Sequence, residues 1–86
     1  MRREPDFFGD DELSLVYVAK KLREALRLKQ ILTDAGVDYL VEPDKYSGGI
    51  IFRSERIGAF FYVDPASEGA AHDVMRREGL APYEAG

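Results

Sequence analysis

Two short runs of this chain are apolar at successive positions rather than at alternate ones: LSLVYVA (13–19) and IGAFFYV (57–63). Neighbouring side chains of a strand point to opposite faces of the sheet, so a strand made from either run is apolar on both sides. Such strands belong in the interior, with cover above and below. Cover is scarce here, because the chain has 86 residues and reads as one domain: an acidic segment (1–12), a core (13–79) and a tail or short edge strand (80–86). A domain of this size buries only about 60–65% of the surface its unfolded chain exposes. There is also no cysteine, hence no disulfide to offset a small core.

The remaining segments supply two helices and a further strand. KKLREALRLKQILTDAG (20–36) is rich in strong helix formers and ends at Gly36, a residue suited to the left-handed turn that stops a helix. At about 100° per residue, Ala25, Leu28, Ile31, Leu32 and Ala35 share one arc, with Arg23, Arg27, Gln30 and Asp34 opposite. Leu22 and Leu26 lie off the core arc and flank Lys29, whose stem can run across them. VDYLVE (37–42) alternates as a second strand. PDKYSGGIIFRSER (43–56) opens with Pro43, holds Gly48-Gly49 and reads as a long connection with room for a short strand at Ile50–Phe52. Asp64-Pro65 marks a helix start, Gly79 its stop, and Ala70, Ala71, Val74 and Met75 its apolar arc. The order predicts an α+β fold: a ferredoxin-like βαββα(β) sandwich, with an antiparallel sheet and both helices on one face.

The residues Val16-Tyr17, Glu24-Ala25, Lys29, Leu32, Gly36-Val37, Asp64-Pro65 and Ala70-Ala71 also form a pattern that resembles the prokaryotic signal-transducing protein family. These are small bacterial proteins with a domain of unknown function, compared in fold with the PII nitrogen-regulatory proteins. The resemblance spans roughly residues 13–78. It implies a ferredoxin-like fold and a regulatory or binding role, and it brings no catalytic residues. The PII comparison puts a functional loop between the second and third strands, where residues 43–56 fall. No nucleotide-binding motif occurs there, so neither ATP nor 2-oxoglutarate follows from it.

Charge and composition exclude several function classes. With 16 acidic and 12 basic residues the net charge is −4, which opposes phosphate-backbone binding. Aromatic RIGAFFYV (56–63) loosely resembles the base-stacking strand of RNA-recognition domains but is out of register with it, and reads as core or interface. No run approaches the ~20 apolar residues of a membrane span, and the acidic N-terminus is no signal peptide. Absence of cysteine suits a reducing compartment, so the expected location is cytoplasmic. The sole histidine, His72, sits between Glu68 and Arg76 at helical spacing and reads as part of a solvated face. No metal-ligand spacing accompanies it, and Asp10, Asp11 and Glu12 lack the spacing of a calcium loop. An acylphosphatase-like enzyme would need an arginine cradle and an asparagine to orient water, and the chain has no asparagine.

The expected function is therefore non-enzymatic, with no catalytic residue, metal or cofactor: a regulatory or binding module that self-associates as a homodimer or meets a protein partner. Whichever way the strands face, one side of the sheet leaves either Leu15 and Tyr17 or Val16 and Val18 of the first strand, and either Phe60 and Tyr62 or Phe61 and Val63 of the third, without helical cover, and large exposed apolar areas are uncommon on stable monomers. Phe7-Phe8, Ile50-Ile51-Phe52 or another subunit must provide that cover. Leu22, Leu26, Phe60 and Tyr62 are the candidate interface residues. Tyr46, Ser47, Gly48, Gly49, Arg53 and Arg56 are the candidate loop contacts for a partner or a small anionic ligand, a phosphorylated metabolite in the enzyme-like alternative. Residues 20–29 carry five basic side chains against Glu24 alone, so this acidic protein has a basic helix able to steer an acidic partner.

Overall fold

A computed structural model describes residues 1–9, 12–47 and 55–83. Strand β1 (Ser14–Ala19) leads into helix α1 (Leu22–Asp34). Strands β2 (Tyr39–Ser47) and β3 (Glu55–Val63) follow as a hairpin, and helix α2 (Glu68–Arg77) closes the series. The three strands form an antiparallel sheet in the order β1-β3-β2, so IGAFFYV, the run most apolar on both sides, takes the centre. The fold is α+β, as the element order predicts.

Both helices pack on one face. Leu28 and Leu32 of α1 and Met75 of α2 are fully buried with Val16, Phe61 and Val63 in one cluster that also takes in Tyr39 and Ala71. Each fully buried side chain of this size contributes roughly 1.5–3 kcal/mol from water exclusion. Tyr39 keeps its hydroxyl 3.5 Å from the Lys29 carbonyl while its ring lies 5.8 Å from that of Phe61. The expected arcs hold except at their ends, where Ala35 and Ala70 are exposed.

The helix stops follow the glycines. Gly36 has φ +73° and Gly79 φ +80°, values that cost an L-residue energy and glycine nothing. Just beyond them Val37 N–H bonds the Leu32 carbonyl at 2.9 Å, and Leu80 N–H bonds that of Met75 at 2.9 Å. Each turn thereby satisfies carbonyls that a helix end leaves open and drops an apolar residue back on the core. At the start of α2, Asp64 accepts from Ala66 N–H at 2.9 Å and Pro65 opens a 3-10 turn (Pro65–Ser67) that runs into the helix.

Three sequence expectations are corrected. First, Pro43 does not end the second strand: β2 continues to Ser47 and β3 begins at Glu55, so residues 43–47 and 55–56 of the expected connection are strand, and the rest of it, with the short strand expected at Ile50–Phe52, lies outside the described residues. Pro43 pairs with Ala59 on a strand whose other side lies at the sheet edge, where a missing N–H breaks no ladder. Second, β1 does not alternate. Its register slips between Leu15 and Tyr17, which makes Val16 an extra residue. Val16 is fully buried, Tyr17 packs beside it, and Leu15 and Val18 share the other face with their partners Tyr62 and Phe60. Third, His72 is not solvated. Its side chain is only 13% exposed, and Nε2 is buried 3.9 Å from Glu68 Oε1 with no hydrogen-bond partner.

The terminal segments reach the two sheet edges. Arg2 bridges Tyr39 in parallel, Arg3 N–H donates to the Tyr39 carbonyl at 2.7 Å, and Arg3 Nε pairs with Asp38 at 2.9 Å. At the opposite edge Tyr83 N–H donates to the Val16 carbonyl at 2.7 Å. Residues 80–83 form no strand.

Candidate interaction surface

The sheet face turned away from the helices is set by register. Leu15 and Val18 of β1, Phe60 and Tyr62 of β3, and Leu40, Glu42 and Asp44 of β2 alternate with the core-facing set and so lie on that face. Leu40 is buried, Leu15, Val18, Phe60 and Tyr62 are half-buried, and Glu42 and Asp44 are exposed. Apolar groups thus form the floor, with carboxylates along the β2 side.

The cover is the N-terminal segment. It begins beside β2 at Arg3 and must reach β1 at Ser14, crossing the sheet. Phe8 is buried yet stands outside the cluster beneath the helices, as does Leu40. Leu13, Leu40, Glu42 and Tyr62 line one shallow cavity of about 330 Å³. These positions place the crossing on the open face. The strap is itself braced: Phe7 and Phe8 meet edge to face at 5.1 Å, and the Arg3 guanidinium lies 4.5 Å above the Phe7 ring. The expectation that Phe7-Phe8 fold back is met by Phe8, while Phe7 stays 53% exposed. The other covering segment considered, Ile50-Ile51-Phe52, lies outside the described residues.

The electrostatics of the face appear in Tyr62. Its phenol is pushed above the ordinary value near 10 by burial first, and then by the charges of Glu42 and Asp44. The alternation of residues 37–42 already sets Glu42 in line with Leu40, but reading Pro43 as the strand end leaves out Asp44, which the period of two carried through the proline adds to the same line.

The four expected interface residues do not form one surface. Phe60 and Tyr62 lie on the open sheet face, whereas Leu22 and Leu26 stand on α1, which covers the other face, at 75% and 55% exposure. Lys21 and Arg23 are exposed beside that ridge, and Lys29 is half-buried. Arg27 is committed elsewhere: its guanidinium donates to the Glu78 carbonyl at 2.7 Å, tying α1 to the end of α2 in a groove of about 430 Å³ that Asp34 and Arg77 also line.

Of the expected loop contacts, Tyr46 and Ser47 belong to β2 and Arg56 to β3, and Tyr46 pairs with Arg56 in register. Gly48, Gly49 and Arg53 lie outside the described residues. Among the described residues no three carboxylate or imidazole groups stand close enough to share a cation, and no helix is long and apolar enough to cross a membrane. Compared with protein families, curated proteins and solved structures, the chain matches none.

Proposed function

We propose that the protein is a non-enzymatic cytoplasmic binding or regulatory module that self-associates through the open face of its sheet. The observation that carries this reading is the half-buried row Leu15, Val18, Phe60 and Tyr62, which the strap leaves partly in water. A floor of this kind rimmed by carboxylates suits a protein surface and repels nucleic acid. The resemblance to prokaryotic signal-transducing proteins points the same way. The chain path is compatible with the ferredoxin-like sandwich that this reading takes as its fold: three antiparallel strands in the order 1-3-2 with two helices, and Tyr83 bonded to the edge of β1.

Sedimentation equilibrium across a wide concentration range tests the reading. The expected result is a reversible shift to dimers or larger species, weakened when Val18, a half-buried residue on that face, is replaced by serine. A monodisperse monomer at every concentration would remove it.

A further inference from the structure

The outward side of α1 carries an exposed apolar pair set among cations. Leu22 and Leu26 stand one turn apart, away from the buried Leu28 and Leu32, at 75% and 55% exposure. At about 100° per residue, Arg23 and Arg27 flank the pair on one side and Lys29 on the other, and Lys21 stands at the helix start. Arg27 keeps its charge while donating to the Glu78 carbonyl. Of the carboxylates on this helix, Glu24 is off the ridge: it accepts from Lys20 N–H at 3.4 Å and acts on the phenol of Tyr17 on β1. Asp34 lies at the far end of the helix, bonded to Gln30 at 2.7 Å. α2 and its cap add Arg76 and Arg77 against Glu68, Asp73 and Glu78, so residues 20–34 and 68–78 together are net positive although the whole chain carries −4.

Two exposed leucines are too little for a protein partner. A standard interface buries about 800 Å² on each side, and a helix that docks in a protein groove carries apolar anchors over two turns or more. Here the row that starts with Leu22 and Leu26 continues with Lys29 and Thr33. A nucleic-acid backbone would meet the cations but gain nothing from the leucines. A bilayer surface needs no matching groove: it takes a few apolar side chains into its headgroup boundary and pairs the basic ones around them with anionic headgroups. The net charge does not oppose this. The molecule is at least 25 Å across, about three screening lengths of roughly 8 Å at physiological salt, so acid on its far side is hidden from a surface in contact with α1.

We propose that the α1 ridge is a contact for an anionic lipid surface, in which Leu22 and Leu26 enter the headgroup boundary while Lys21, Arg23, Arg27 and Lys29 meet the charged headgroups. The contact goes beyond the self-association reading and does not depend on it. α1 covers one face of the sheet, so a chain docked through this ridge keeps its open face turned to water. Because the cations around the leucines work through an exposed surface, the contact weakens as added salt shortens the screening length to about 3 Å at 1 M.

Co-sedimentation of the full chain with vesicles tests the contact. At low salt the protein should bind vesicles of equal parts phosphatidylserine and phosphatidylcholine at least about tenfold more strongly than vesicles of phosphatidylcholine alone, and high salt should release it. K21E/R23E and L22S/L26S should each lower that binding by roughly tenfold. All four substituted positions are exposed, and a circular dichroism spectrum checks that each variant folds. Val18→Ser, on the open face, should leave vesicle binding unchanged, so the two readings stand or fall separately. Wild-type protein that ignores the anionic vesicles, binds both kinds equally, or binds no better than the ridge variants overturns the proposal. Binding to poly-glutamate that K21E/R23E abolishes, with no binding to vesicles, overturns it in favour of an acidic protein.

Discussion

Single side chains in this protein are placed by what a strand position demands of them. Tyr62 is an example: β3 register turns it to the open face, and the next two residues of its parity on β2, Glu42 and Asp44, bring negative charge to its phenol. Tyr17, on the other face, is likewise raised above the ordinary phenol value, by burial first and then by Glu24. Both tyrosines hold their protons more tightly in the folded chain than in the unfolded one. Stability from this source is therefore complete below about pH 10 and falls as the pH rises past the unfolded value. Urea titrations should show that alkaline loss in the wild type and a flatter profile in Y17F/Y62F. An unchanged slope above pH 10 would mean the environment does not hold these protons. His72 follows the same logic in a harder case. Its i,i+4 spacing to Glu68 and Arg76 is readable in one dimension, yet what packs over that side of α2 is not, so a residue expected in water lies mostly buried.

At the scale of elements, glycine positions separate two physical roles. Gly36 sits at φ +73° in the turn that ends α1, whereas Gly69 lies in the first turn of α2 and an added Cβ there meets nothing within 4 Å. Gly36→Ala should cost about 1–2 kcal/mol, the penalty for a left-handed L-residue. Gly69→Ala should raise stability by about 0.5–1 kcal/mol, since alanine loses less backbone freedom in a helix. Thermal melts of the two variants should move in opposite directions. The helices themselves were legible because their period of 3.6 and their glycine stops are local. The bulge at Val16 and the length of β2 were not. A bulge is decided by which residue best fills the space under the helices, and a proline is tolerated only because its strand lies at an edge. Neither condition exists before the sheet is assembled.

For the whole molecule, the strap joins the scales. Arg3–Asp38 is a surface ion pair, with side chains about two-fifths exposed on each partner, and such pairs contribute at most about 1 kcal/mol. Phe8, 7% exposed, holds the strap far more strongly. Phe8→Ala should cost about 3 kcal/mol or slightly more, a large part of the roughly 4–13 kcal/mol expected for a domain of this length. Chemical denaturation measures the loss. An accompanying rise in binding of an apolar dye would confirm that Phe8 covers the sheet rather than merely ending a turn.

From sequence alone, local physics determined the elements: two helices with their stops, a central strand apolar on both sides, an acidic start, a basic helix, and more apolar surface than two helices can cover. Only the tertiary structure decided which side each residue of β1 faces, that Phe8 returns over the open face, and that Leu22 and Leu26 stand on a different surface from Phe60 and Tyr62. The reason is one of range. Periodicity and capping depend on residues a few positions apart, whereas sidedness depends on pairing between Tyr39, Tyr62 and Leu15, which the chain separates and the sheet brings into line.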